Sequence, residues 1–322
     1  MELFGLKKIS SSCSDLHEAC PYTLEKVLQK GKCSVRVIKA FAPETNQVVA
    51  IKLFPKTKDG KCLQAFTSEQ KALANLSHPY ILKYHETYND AIIESEGGKF
   101  VEYSAIVMDY ISQGDLYSVI SRKPFSEKLA RSVFKQMVTV VQYLHSQDLM
   151  HLDIKLENFL ITPKDGIKLI DFEACQKDLK DGTLIAKGTP GYRAPEILTD
   201  DLDNPKALDI YSLGIVLFMM VAGTPPYVEQ QENGEWKFDK YYEVLRSDSQ
   251  KFWRAHERYR MTNDDGGKKE FSVEFKSFIE AMIDVNPNKR PKIEELRRKA
   301  WFQGEVYSVD ELEKELLNYL RR

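Results

Sequence analysis

The sequence predicts an α+β fold: a small β-rich N-terminal part carrying one main helix, followed by a larger α-helical part. Three observations predict it. Up to Tyr110 the chain consists of short β-branched and apolar runs separated by turn-prone segments. From Asp115 onward apolar residues recur at helical spacing, and the two patterns are segregated rather than alternating as in a βαβ protein. A length of 322 residues fits about two compact units, and 43% apolar content gives each a core.

Taken in order, the N-terminus MELFGLKKISSSC has no apolar stretch long enough for a signal-peptide core, and Glu2 excludes N-myristoylation. The runs VLQKGKCSVRVIKAF, QVVAIKLF and SAIVMDY read as strands, punctuated by APETN and EGGK. Between them LQAFTSEQKALANLS places Phe66, Leu73 and Leu76 near helical spacing. Later helices are SEKLARSVFKQMVTVVQYLHSQ, entered at Ser126, LDIYSLGIVLFMMVAG, ended by Gly223, and SVEFKSFIEAMI, entered at Ser272. Residues 228–271, polar and aromatic-rich, read as a connection between two helices of the larger part. The last 15 residues read as a helix capped by Ser308, with acids in its first turn and an apolar stripe of Leu312, Leu316, Leu317 and Leu320. It is too acidic for a calmodulin-target helix, so docking onto its own domain is expected.

Composition excludes several classes. Lys and Arg number 46 against 48 Asp and Glu, a net charge of −2, so no electrostatic footprint for nucleic acid or an anionic membrane exists. Five cysteines, Cys13, Cys20, Cys33, Cys62 and Cys175, form no C-x-x-C pair and no disulfide framework, and read as reduced thiols in a cytoplasmic, soluble protein. The longest apolar run, Leu213–Gly223, is 11 residues, short of the roughly 18 that a membrane span needs.

Four clusters place charged groups among apolar ones. VVAIKLF puts Lys52 in the middle of a strand, where a lysine is costly unless paired; Glu69, in the predicted helix, is a candidate partner. MHLDIKLENFLI carries His151, Asp153, Lys155 and Asn158. IKLIDFEAC places Asp171 at a strand end, and KGTPGYRAPEIL carries Thr189 and Glu196.

In this order and at these spacings the clusters resemble the signature set of the eukaryotic protein kinase family, from about Tyr22 to Phe302. The resemblance implies a bilobal protein kinase fold with an N-terminal segment at 1–21, an N-lobe at 22–109, a C-lobe at 110–302 and a C-terminal amphipathic helix at 303–322. It implies ATP and Mg²⁺ as cofactors and transfer of phosphate to Ser/Thr hydroxyls of protein substrates. Lys52 matches the lysine on the α and β phosphates and Glu69 its helix partner. Asp171 and Asn158 match the metal ligands, oxygen donors that suit a hard cation. Asp153 matches the base that accepts the substrate proton, and Lys155 the lysine on the transferring phosphate. Thr189 matches the threonine that binds this Asp and Lys, which favours serine/threonine specificity.

Leu28, Ala50, Met108 and Leu160 match positions around adenine, with Asp109 and Tyr110 in the hinge and Gly31 as the remaining glycine of the glycine-rich loop. Asp115 and Glu157 match acids that accept upstream arginines of basophilic substrates; Asp115 equally matches a ribose ligand. Glu196 with Arg290, and Asp209 behind the catalytic loop, match structural positions. FWRAH and WFQG look most similar to the calcium/calmodulin-dependent kinase group. No EF-hand loop follows the domain, so control is expected from short terminal segments or a separate regulatory partner.

The chain departs from the family pattern at Gln29 and Ser34, where glycines stand, at Leu152, where an arginine reads an activation-loop phosphate, and at Glu173, where D-F-G has its last glycine. The usual phosphosite position falls on Ile185, so activity independent of activation-loop phosphorylation, Thr183 included, is expected. Gln29, Ser34 and Glu173 keep open a pseudokinase that binds nucleotide or a partner as a scaffold.

Overall fold

The computed structural model describes residues 9–10, 22–31, 34–58, 60–94, 100–177, 184, 187–199, 202–259 and 270–321. Ile185, Thr183 and the EGGK turn lie outside the described residues. The chain forms two compact units, one of residues 1–112 together with Asp171–Glu173, the other of residues 113–170 and 174–322.

The first unit is a six-stranded antiparallel sheet with one main helix. In chain order its elements are β1 (Ile9–Ser10), β2 (Thr23–Lys30), β3 (Arg36–Ala42), β4 (Gln47–Pro55), α1 (Lys61–Leu73), β5 (Tyr84–Glu94) and β6 (Phe100–Asp109). The strands lie in the order β1-β5-β6-β4-β3-β2. β5 has no counterpart in the strands read from the sequence, because its polar run YHETYND hides the apolar AII that follows.

β4 is central and buried on both faces from Val49 to Phe54. The two-residue period of a strand decides which side each residue serves. Val49, Ile51 and Leu53 join Ile38, Ala40, Ala105 and Val107 in the sheet's apolar core. Phe54 points the other way and meets Phe66 of α1 edge-on, with ring centroids 5.6 Å apart. Lys52 shares that helix-covered face, so an ammonium enters a region otherwise made of Cys62 and Phe66.

The second unit is mainly helical. It opens with α2 (Leu116–Ile120) and α3 (Glu127–Ser146), then β7 (Leu149–Met150), a 3₁₀ turn at Leu156–Asn158, β8 (Phe159–Thr162), β9 (Gly166–Leu169) and β10 (Gln176–Lys177). α4 (Lys206–Ala222) follows a 3₁₀ turn at Pro195–Leu198, and is buried nearly all round, as its apolar run from Leu213 onward requires. Gly223 ends it at φ 78°, a conformation that glycine adopts without strain.

Segment 228–271 corrects the sequence reading of a plain connection. It holds β11 (Glu229–Glu232), β12 (Glu235–Phe238), α5 (Lys240–Ser247) and α6 (Ser249–Tyr259). β11 and β12 pair antiparallel around Asn233 and Gly234, whose φ angles are 52° and 86°. Two positive φ values in a two-residue loop are what Asn-Gly favours, and they match the twist of a hairpin.

The unit closes with α7 (Val273–Met282), α8 (Ile293–Leu296), α9 (Ala300–Gln303) and α10 (Val309–Leu320). Ser126, Ser272 and Ser308 each accept a backbone N–H at the start of their helices. In α10, Leu312 and Leu316 are buried, and the Tyr319 hydroxyl donates to the Pro124 carbonyl at 3.2 Å while its ring meets Phe125 edge-on. The helix therefore lies on its own unit. No helix among the described residues is long and apolar enough to cross a membrane.

Candidate active site

In the first unit the predicted pair is formed: Lys52 Nζ donates to Glu69 Oε2 at 2.7 Å. The same ammonium lies 2.8 Å from Asp171 Oδ1 and 2.8 Å from Glu173 Oε1. Glu69 also accepts the Phe172 N–H through Oε1 at 3.4 Å, so the helix glutamate holds both the lysine and the D-F-E backbone. Asp171 itself has φ 66°, a left-handed conformation that a non-glycine residue keeps only when its surroundings fix it.

One buried ammonium thus faces three carboxylates. Burial alone would lower the Lys52 pKa, but Asp171, Glu69 and Glu173 hold it well above the ordinary lysine value. Burial first, then Asp171 and Glu173, push Glu69 up to about 7 against the pull of Lys52. Glu69, Asp171 and Glu173 each bring a carboxylate oxygen within 4.8 Å of the others. Lys52 Nζ stands among these oxygens, 2.7–2.8 Å from each carboxylate, so in this arrangement the three acids serve the ammonium.

Other positions singled out in this unit sort by register. Ala50 pairs with Met108 across β4 and β6. The Asp109 carboxylate is engaged by His85 Nε2 at 2.7 Å, while its N–H donates to Lys83 O. The Tyr110 ring carries the Lys39 ammonium 5.5 Å from its centroid. Leu28 is 39% exposed on β2. Gly31 N–H donates to Val35 O, and Ser34 has φ 64°, the conformation for which a glycine is better suited.

In the second unit the Asp153 carboxylate is held on both oxygens. Thr189 Oγ1 donates to Oδ1 at 2.5 Å, and Lys155 Nζ donates to Oδ2 at 2.6 Å and to Thr189 Oγ1 at 3.1 Å. Asn158 Nδ2 donates to the Asp153 carbonyl at 2.8 Å, which orients the amide. Lys155 reaches Asp153 from two residues along the same loop, and Thr189 from a segment 36 residues away in sequence.

The loop is fixed from behind by Asp209, which is fully buried at the start of α4. It accepts the His151 and Leu152 N–H groups at 3.0 and 2.9 Å and a hydrogen bond from His145 at 2.8 Å. Burial would raise its pKa, but His145 and the His151 N–H hold it below the usual carboxylate value. These bonds keep Leu152 at φ 63°. Elsewhere Arg290 makes a two-pronged ion pair with Glu196, at 2.5 and 2.7 Å.

Asp115 caps α2, its Oδ1 accepting the Ser118 N–H at 2.7 Å, and bridges to Leu160 in a short antiparallel contact. Glu157 has a buried carboxylate oxygen, Oε2, with no hydrogen-bond donor among the described residues. Burial and this neighbouring carboxylate push the Tyr192 hydroxyl upward.

The sequence reading missed two groups. Glu173 stands out in the sequence only as a departure from D-F-G, not as a partner of Lys52. Glu229 was not singled out at all, yet it is buried and binds Arg193 and the Gly191 N–H. The Asn-Gly turn beside it was the available signal.

An antiparallel sheet unit holding a Lys–Glu pair and a helical unit holding an Asp–Lys–Thr knot make up the α+β class that the sequence predicts. The protein kinase domain family matches residues 22–302, and the chain belongs to that family. It is 29% identical to CBL-interacting serine/threonine-protein kinase 20 of Arabidopsis thaliana over 88% of this chain and 58% of the relative. It is 31% identical to testis-specific serine/threonine-protein kinase 2 of Mus musculus, over 85% of the chain and 71% of the relative. A calcium/calmodulin-dependent protein kinase type 1 of Macrobrachium nipponense is 25% identical over 100% of the chain and 89% of its own length. The chain spans little more than half the length of the CBL-interacting kinases it matches.

Proposed function

We propose that this protein is an ATP-dependent serine/threonine protein kinase. The observation that carries the reading is the Asp153 carboxylate, held between Lys155 and Thr189, in a chain matched to the kinase family over residues 22–302. In this reading Asp153 takes the proton of the acceptor hydroxyl, and its fixed geometry supplies the alignment on which phosphoryl transfer depends. Lys155 meets the charge of the transferring group. Lys52, positioned by Glu69, holds phosphate oxygens, and Leu28, Gly31, Ala50, Met108, Asp109, Tyr110 and Leu160 surround the base. Because His85 occupies the Asp109 carboxylate, its part falls to the backbone.

Asp171 and Asn158 would hold Mg²⁺, which when bound neutralises phosphate charge. Both side chains offer oxygen donors, which suit such a hard ion. Glu157 is the acid that would accept an upstream arginine of a basophilic substrate. Asp115 has its cap to keep, which leaves its second oxygen for a ribose or an arginine. A cytoplasmic setting fits the buried thiols of Cys62 and Cys175.

The test is transfer of labelled phosphate from ATP and Mg²⁺ to basic Ser- and Thr-containing peptides. Wild-type protein should transfer, and Asp153→Asn should lose at least about two orders of magnitude in kcat. Transfer that survives D153N overturns the assignment of the base; nucleotide binding without transfer leaves the scaffold reading.

A further inference from the structure

Thr189 ties Asp153 to Lys155, so the segment that carries Thr189 must itself be held. Its backbone turns at Gly188 and Gly191, with φ 66° and 86°, and closes with Tyr192 and Arg193 N–H donating to Thr189 O. Such a turn has few bonds of its own. The Ser212 hydroxyl of α4 donates to the Tyr192 carbonyl at 2.9 Å, and the remaining anchors come from the hairpin after α4.

Glu229, the first residue of β11, accepts three hydrogen bonds from this segment. Gly191 N–H reaches Oε2 at 2.8 Å, and Arg193 Nε and Nη2 reach Oε1 at 2.8 and 2.6 Å. Both side chains are buried, Arg193 at 6% and Glu229 at 0% exposure. Arg193 also donates to Lys187 O at 3.4 Å, on the other flank of Thr189, and its guanidinium sits 4.7 Å from the Trp236 ring of β12. The hairpin is immobilised in turn: Phe238 stacks on Tyr242 at 4.2 Å and meets Tyr227 edge-on.

A buried carboxylate is tolerated only when donors satisfy it. All three donors identified here lie within three residues of each other, beside Thr189. A carboxylate that served only the hairpin's own stability would bond within the hairpin, whose polar groups Glu232 and Lys237 are instead exposed and paired 3.8 Å apart.

We infer that Glu229 is a positioning residue: acting through Arg193 and Gly191, it holds Thr189 on Asp153 and Lys155, so the hairpin is part of the acceptor side of the catalytic apparatus. The inference rests on the kinase reading for its kinetic part. It supplies the anion for this segment from within the chain.

The test combines amide hydrogen exchange with steady-state kinetics on four full-length variants. Glu229→Gln should speed exchange of the 188–194 amides at least tenfold with α4 unchanged, and lower kcat for peptide at least tenfold while the KM for ATP stays within twofold. Glu229→Asp should recover part of both. The control, Glu232→Gln on the exposed face of the hairpin, should match the wild type. R193M/E229L replaces the pair with apolar side chains of similar size; it should melt cooperatively and still show the loosened segment and the low kcat. A folded E229Q with wild-type exchange at 188–194 overturns the inference, and so does a folded R193M/E229L with wild-type kcat. Exchange decides the anchor even where no variant, wild type included, transfers phosphate, an outcome that sinks the kinase reading alone.

Discussion

Removing the Glu173 charge should tighten binding of metal-free nucleotide. Lys52 Nζ is 2.7–2.8 Å from three carboxylates, so one positive charge answers three negative ones. A phosphate bound to the far side of that ammonium would lie roughly 6 Å from the Glu173 carboxylate, about twice the ion-pair distance. Glu173 is 33% exposed, so an effective dielectric of ~40, between surface and bulk values, applies; Coulomb's law then gives ~1.4 kcal/mol of repulsion, or about tenfold in affinity. Calorimetric titration of Glu173→Gln with ATP in EDTA should show this gain. With Mg²⁺ the cation should mask most of the difference. Glu173→Gly separates charge from backbone: an effect confined to the glycine variant is conformational. E173Q binding no tighter than wild type in EDTA refutes the electrostatic reasoning.

Other expectations concern stability. Arg290→Met strands the buried Glu196 carboxylate and removes donors from Ala207 O and Asp284 O, so urea unfolding should lose ~3–5 kcal/mol; R290M/E196L should lose less, and a loss under ~1 kcal/mol for R290M would contradict the burial argument. His256 bonds to the Pro226 carbonyl, and burial lowers its pKa, opposed by that carbonyl and by Asp239. The folded protein therefore binds the His256 proton more weakly than the unfolded chain. The stability this ring contributes is complete above its unfolded value of ~6.5 and is lost as pH falls from there through the lowered folded value. Thermal midpoints measured from pH 8 to pH 5 should fall, less so in His256→Gln. Ser308→Ala removes the side-chain half of the α10 capping box, the acceptor of the Glu311 N–H, while the Ser308 N–H keeps its bond to the Glu311 carboxylate; it should cost ~1 kcal/mol, seen as faster amide exchange in α10 with the sheet unaffected.

What the sequence made legible follows from cost. A lysine amid VVAIKLF must find an acid, which made Lys52 and its pairing with Glu69 readable. The serines before α3, α7 and α10 announce themselves by type and by the apolar periodicity after them. Glu173 on Lys52 was not readable, because it depends on the positive φ of Asp171, a property with no local signal. Glu229 was hidden for another reason. Its neighbours in β11, Gln230 to Glu232, are exposed, so the strand has no apolar alternation and only its Asn-Gly turn gives it away. β5 failed similarly, its polar half masking its pairing.

Leu152 bears on what the chain is free to change. Its left-handed backbone is imposed by Asp209, which grips two successive N–H groups, and not by anything at its own Cβ. The geometry of the catalytic loop is therefore written at position 209, while position 152 answers only to its immediate packing, where it is 6% exposed. A guanidinium placed there would be buried and would need an anion of its own. The loop's shape and its capacity to sense charge are thus set by separate residues, and a lineage can lose the second without paying in the first.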